Sequence, residues 1–265
     1  MNREINELPE SILKTVRHKP YEVTRVGLSG AEVRVYENFV LKIQPHSATS
    51  VNEAAFMRFL QGKIPVPEVV LFQTQNGMDY LLMTRLRGRM LCSEEYLSNP
   101  KTLFEKAAKV LHMLWAIPAK DCPSDMSLSY KLRLAENNVV GNLVDVGNVN
   151  PSTFGAHGRF KNPEHLLRWL IDNKPAEDIV TSHGDLCLPN IFDCGGETAI
   201  IDFPYGGAAD RYCDIALLYR SSKDNLQGGY GKFYSKFDEK LFFDVLSVTP
   251  DRDKIDYYIL LDELF

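Results

Sequence analysis

His183–Asn190 reads HGDLCLPN, and after a short strand-like stretch the chain continues Ile201-Asp202-Phe203. Three polar side chains stand out in this span: Asp185, Asn190 and Asp202. A carboxylate such as Asp185 can orient a hydroxyl nucleophile and accept its proton late in a reaction. Magnesium wants hard oxygen ligands while it bridges phosphates. Asp202 offers it a charged oxygen and Asn190 a neutral one, from the two sides of a tight loop. Pro189, just before Asn190, disfavours helix there and keeps the loop extended. Aspartate is common in turns, so either aspartate alone reads as a turn residue. The three together, with His183 two residues before Asp185, point to phosphoryl transfer from a nucleoside triphosphate to a hydroxyl.

The pattern H-x-D-L-x-x-x-N followed by D-F is similar to the protein-kinase catalytic loop and its metal-binding aspartate, with one substitution in each half. The rest of the chain is read outward from it. Its 265 residues suffice for one large domain or two modest lobes. Hydrophobic content of 45% and charged content of 25% are ordinary for a soluble enzyme. A net charge of −5 argues against nucleic acid as a partner and suits a cationic or neutral substrate. Cys92, Cys122, Cys187, Cys194 and Cys213 form no CxxC pair, which favours reduced thiols over a disulfide scaffold or a zinc site. The opening MNREINELPE has no apolar core and no apolar run approaches a membrane span. A cytoplasmic location is expected, with no membrane and no obligate protein partner.

Helical spacing marks residues 5–16 and 50–61. Short β-like runs fill 21–43, and further strands follow in VVLF and MDYLLMT. Residues 20–84 are therefore expected to form a five-stranded sheet carrying one helix, within a β-rich lobe over 1–84. Residues 85–95 read as a connector. Residues 96–265 read as a helical lobe, with helices near 99–116, 126–140, 162–173, 207–220, 231–246 and 251–264 and a β-like break at 179–203. The fold class is α+β, with two kinase-like lobes and ATP expected between them.

Lys42 ends FVLK, where an ammonium would reach the α- and β-phosphates. The next helix offers Glu53 to orient it. Alone, Lys42 reads equally as a surface lysine and Glu53 as a solvated one; their order along the chain raises the pair. The turn LSGAEV, around Ser29, lies where backbone N–H groups could cover phosphates. A plain hairpin turn accounts for it equally well. No P-loop pattern occurs.

The chain resembles the aminoglycoside phosphotransferases, specifically the 3′-phosphotransferase group. The resemblance runs nearly end to end through FVLK, KIPVPEVV, LCSEEY, SHGDLCLPNIF, ADRYCDIAL and YYILLDELF. It implies a protein-kinase-like fold, transfer of the γ-phosphate of ATP or GTP with Mg²⁺, and a polycationic antibiotic as acceptor. By that resemblance Asp185 is the catalytic residue and Asn190 and Asp202 the metal ligands. Lys42, Glu53, Ser29 and Met83 bind nucleotide, and Asp224, Asp262, Glu263 and Phe265 with its terminal carboxylate bind the acceptor's ammonium groups.

The chain departs from the family in three places. Pro204 and Tyr205 replace a glycine and an arginine after the metal aspartate. The connector is basic at Arg85, Arg87 and Arg89. The loop VNPSTFGAHGRF has no acid between Asp145 and Glu164. These changes keep two alternatives open: a kinase of this fold for another antibiotic or small alcohol, and a pseudokinase that holds nucleotide without turnover.

Overall fold

The computed structural model of the chain describes residues 8–24 and 31–265. Ser29 and its turn lie outside the described residues. After a short helix α1 (Glu10–Val16), five strands follow: β1 (Tyr21–Thr24), β2 (Glu32–Tyr36), β3 (Phe39–Pro45), β4 (Val69–Gln75) and β5 (Met78–Thr84). They form one antiparallel sheet in the order β1-β2-β3-β5-β4. Between β3 and β4 lies α2 (Ala48–Leu60), started by a capping box in which Ser47 and Ser50 satisfy each other's backbone.

The sheet has two unlike faces because its side chains alternate. Tyr36, Leu41, Tyr80 and Leu82 face α1 and bury Ile12 and Val16. The register sets Lys42 opposite Val33 and Leu81, and Val40 opposite Val35 and Met83. These residues share the other face, turned toward the rest of the chain. Leu81 and Met83 belong to the large core there, together with Ala54, Phe56, Met57 and Leu60 of α2. The helix of the small lobe is thus packed into the core of the large one.

Beyond the sheet come β6 (Arg89–Met90), α3 (Glu94–Leu97), α4 (Pro100–Trp115), α5 (Leu128–Val140) and α6 (Pro163–Asp172). Next are β7 (Ile179–Ser182), β8 (Ile191–Asp193), β9 (Thr198–Ile200), β10 (Gly207–Asp210), α7 (Arg211–Leu226), α8 (Glu239–Leu246) and α9 (Arg252–Asp262). Two small antiparallel units frame the loops of interest: β7 pairs with β10, and β8 lies between β6 and β9. The residues of HGDLCLPN run from β7 to β8, and IDFPYG runs from β9 to β10. Both polar loops therefore leave strand ends on the same side.

Two helical expectations are corrected. Residues 207–210 are strand, and the helix expected from 207 begins at Arg211 and runs on to Leu226. Asp210 stops helical periodicity by accepting a hydrogen bond from the Tyr212 N–H as an N-cap. Gly207 permits close pairing, since a Cβ there would meet the Ser124 carbonyl at 2.6 Å. The helix expected over 231–246 forms only from Glu239, capped by Asp238. The preceding residues fold back, with Tyr234 and Ser235 N–H groups donating to the Leu226 carbonyl.

Phe56 is fully buried and touches Phe203, with ring centroids 5.8 Å apart. Phe56→Ala should cost about 3 kcal/mol of stability by opening a cavity where the two lobes meet. Urea unfolding checks this, and a loss below about 1 kcal/mol would show that α2 is not part of the shared core.

Candidate active site

His183 organises the first loop. It is fully buried. Its backbone N–H and that of Gly184 each donate to one oxygen of the buried Asp214 carboxylate on α7, both at 2.8 Å. Its Nε2–H donates to the Ile201 carbonyl at 2.9 Å, and its Nδ1 accepts from the Asp185 N–H at 3.3 Å. That pattern requires the neutral imidazole, in keeping with the downward push that burial gives its pKa. One ring thus ties the residue before Asp202 to the backbone of Asp185.

Gly184 must be glycine here. Its φ is +83°, and a Cβ would lie 2.0 Å from the Tyr205 carbonyl oxygen. Asp202 also has a left-handed backbone, with φ of +69°. The Asn190 Nδ2 donates to the Asp185 carbonyl at 2.9 Å, so the side-chain oxygen is the end of Asn190 left for another partner.

Of the three polar loop residues, Asp202 meets the sheet through Lys42. Its ammonium donates to both Glu53 oxygens at 3.1 and 3.0 Å and to Asp202 Oδ1 at 2.7 Å. Burial disfavours the Lys42 charge, but Glu53 and Asp202 outweigh it and hold its pKa above the ordinary lysine value. Burial pushes Glu53 up against the pull of Lys42, with Asp202 adding to the push. Asp202 itself is held low by Lys42 despite its burial. Met83 lies across from Val40 on the same sheet face as Lys42, two residues along the register.

Asp185 is half-buried. Its pKa is pushed up to about 7, first by burial and then by the Asp262 and Asp202 carboxylates. Asp262 comes from the last turn of α9 and pairs with Arg220 of α7 at 2.5 Å. Next to it a narrow crevice is lined by Lys131, Gly184, Tyr205, Leu261, Asp262 and Phe265. The Phe265 ring meets Tyr205 edge-on, centroids 5.2 Å apart. Glu263 is turned inward, where it accepts the Asn150 N–H at 2.9 Å and so braces the loop that has no acids. Asp224 is half-buried near the end of α7, with the Gly229 N–H donating to its carbonyl.

Asp185, Asn190, Asp202, Lys42 and Glu53 form one connected group. Asp262 and Phe265 adjoin it, Glu263 turns away onto Asn150, and no hydrogen bond or ion pair among the described residues ties Asp224 to it. Sequence reasoning missed Asp214, Arg220 and Lys131. The Lys131 ammonium is buried, donating to the Gly184 carbonyl at 3.2 Å and to Cys213 Sγ at 2.8 Å. A signal for it existed: Lys131 sits on the buried stripe of α5 with Leu128, Leu132 and Ala135. The connector arginines brace the small lobe and α3. Arg85 donates to the Tyr36 carbonyl, Arg87 to Asn38, and Arg89 pairs with Glu95.

As a donor set, the Asp202 carboxylate and the Asn190 amide oxygen suit a hard divalent cation that takes its remaining ligands from phosphate and water. Among the described residues no three His, Cys, Asp or Glu side chains converge as a self-sufficient metal cage.

Residues 22–245 match the phosphotransferase enzyme family. The chain is 39% identical to an aminoglycoside 3′-phosphotransferase of Enterococcus faecalis, over 80% of this chain and 78% of that one. It is 32% identical to one from Niallia circulans over the whole of both chains. A Streptomyces rimosus aminoglycoside phosphotransferase, solved with ADP and streptomycin, shares the fold. Its TM-score is 0.74 at 22% identity, covering 92% of each chain.

Lys42→Met should cost about 2 kcal/mol, because two carboxylates lose their cation and Asp202 is partly open to solvent. Its stability should also fall more steeply than the wild type's from about pH 5 to about pH 8. Glu53 without Lys42 has a folded pKa raised further above its unfolded value, so its ionisation on raising the pH disfavours folding. Thermal unfolding at both pH values checks this; equal slopes would mean that Lys42 does not control Glu53.

Proposed function

The chain belongs to the phosphotransferase enzyme family, and from that premise we propose that it moves the γ-phosphate of ATP or GTP to a hydroxyl of an aminoglycoside, the 3′-hydroxyl. Such a transfer would confer resistance to the antibiotic. The observation that carries this reading is the convergence of Asp185, Asn190 and Asp202 with the Lys42–Glu53 pair across one cleft. A relative of this fold solved with ADP and streptomycin supports both co-substrates. In this reading residues 1–84 are the nucleotide lobe, 85–95 the connector and 96–265 the lobe that holds the acceptor. Dependence on a nucleoside triphosphate and reduced cysteines fit a cytoplasmic reaction. No helix among the described residues is long and apolar enough to cross a membrane.

The residues divide the work as follows. Val33, Val40 and Met83 give the nucleotide base an apolar wall, and Lys42, oriented by Glu53, pairs with its phosphates. Asp202 and Asn190 would hold Mg²⁺, which supplies charge neutralisation on the transferring phosphate when bound. Asp185 accepts a hydrogen bond from the acceptor hydroxyl and takes its proton as that oxygen bonds to the γ-phosphorus. The bond between the γ-phosphorus and the bridging oxygen breaks, and the nucleoside diphosphate leaves. His183 and Asp214 hold Asp185 at the position this requires.

On the acceptor side, Asp262, Asp224 and the Phe265 carboxylate are proposed to meet ammonium groups, whereas Glu263, expected from the sequence to do the same, is buried and spent on the Asn150 N–H. Asp262 already carries Arg220, so it is oriented before the substrate arrives. A polycation bound there would offset the mutual repulsion of Asp262 and Asp185 and lower the Asp185 pKa, so the acceptor itself helps ionise the base.

With ATP, Mg²⁺ and kanamycin in a coupled assay, Asp185→Asn should lose about a thousandfold in kcat while binding nucleotide normally. Near-normal turnover by that variant would refute the assignment. In the wild type kcat/KM for the antibiotic should fall as the pH drops below about 7, because only ionised Asp185 accepts the proton. A rate unchanged from about pH 8 to about pH 5 would contradict it. Asp262→Asn should raise KM for the antibiotic about tenfold with KM for ATP unchanged. If no aminoglycoside is turned over but another alcohol is, the acceptor assignment fails and the chemistry stands.

A further inference from the structure

We propose that Asn52 is a positioning residue for the transfer: its side-chain amide pins the turn after Asp202 to the helix that carries Glu53. The inference rests on the reading of Asp202 as a metal ligand.

Asn52 is 9% exposed and lies next to Glu53 on α2. Its Nδ2 donates to the Pro204 carbonyl at 3.1 Å and to the Gly206 carbonyl at 3.0 Å. Its Oδ1 accepts from the Ser124 hydroxyl. Carbonyl oxygens only accept, so the amide can satisfy these partners in one orientation alone. Both of its donor hydrogens are used, on two carbonyls that belong to the small lobe's partner.

Those carbonyls bracket Tyr205, whose own carbonyl lies against Gly184 in the Asp185 loop. At the other end of the turn is Asp202, held in its left-handed conformation. Phe56, one turn further along α2, fills the space that a Cβ on Gly206 would need, at 2.2 Å. Ser124 is in turn locked to β10, because the Ala208 N–H donates to its carbonyl at 2.9 Å. Asn52 is therefore where α2, the turn after Asp202 and the segment before α5 are joined by one polar group. Glu53 beside it holds Lys42, and Lys42 holds Asp202. If the turn were released from α2, Asp202 would keep its bond to Lys42 only by following Lys42, and its distance to Asn190 would no longer be set. A buried asparagine that only stabilised the fold would not be expected to change how strongly magnesium helps a nucleotide to bind.

That coupling is the test. A fluorescent ADP analogue is titrated into wild type, Asn52→Leu, Asn52→Asp, Ser124→Ala and Asp202→Asn, with Mg²⁺ and with EDTA, alongside melting temperatures and steady-state kinetics. Asn52→Leu and Asn52→Asp should lose about tenfold of the Mg²⁺-dependent gain in ADP affinity, with affinity in EDTA within about twofold of wild type. Their kcat should fall by about tenfold with KM for the acceptor unchanged. An unchanged Mg²⁺-dependent gain in folded Asn52 variants, while Asp202→Asn loses it, overturns the pin and leaves the metal reading intact. A gain retained by Asp202→Asn overturns both. Should the Asn52 variants fail to fold, Ser124→Ala decides. It removes the donor that orients the amide, and it should lose about threefold of the gain. No loss in it refutes the proposal.

Discussion

One buried ammonium joins the two halves of this protein. Lys42 comes from the sheet, Glu53 from the helix beside it and Asp202 from the loop on the far side of the cleft, and all three meet within hydrogen-bond distance. A charge removed from water must be paired where it stands. Lys42 therefore dictates that the sheet, α2 and the turn after β9 keep fixed relative positions. The shared core under α2 answers the same requirement from the apolar side, with Phe56 against Phe203. Polar and apolar contacts thus converge on one helix, α2.

A second constraint is electrostatic. Asp185, Asp202, Asp214 and Asp262 are gathered in a small volume, and three of them are held there by partners. Asp214 spends both oxygens on backbone N–H groups, Asp202 takes Lys42, and Asp262 takes Arg220. Among the described residues no cation lies within bonding distance of Asp185, and burial, followed by the Asp262 and Asp202 carboxylates, pushes its proton affinity up. Lys131 lies beneath, bound to the Gly184 carbonyl rather than to a carboxylate. The result is a cluster whose least satisfied carboxylate is Asp185, next to the Asp262 and Asp202 carboxylates.

Much of this was legible from local pattern. The β-like runs FVLK and MDYLLMT mark strands of a sheet. HGDLCLPN and IDF carry recognisable residue types at a spacing that a tight loop imposes. Local pattern failed where a long-range partner overrode it. Residues 207–210 read as the start of a helix, but β7 lies beside them and pairs with their backbone. Residues 231–238 have helical spacing, but the end of α7 takes their N–H groups. The roles of Arg220 and Asp214 were invisible for a related reason: each is an ordinary charged residue on a helix until another segment arrives beside it.

The amino-acid sequence by itself determined the element types, the spacing of the polar loop and the candidate residues for each step, because these depend on neighbours a few positions away. Only the tertiary structure decided that Glu263 turns inward to hold Asn150, that Asp262 arrives already paired, and that Asn52 links the helix of one lobe to the turn of the other. These depend on which groups meet across 42 to 154 residues of chain, and on which polar groups are left to satisfy once water is excluded.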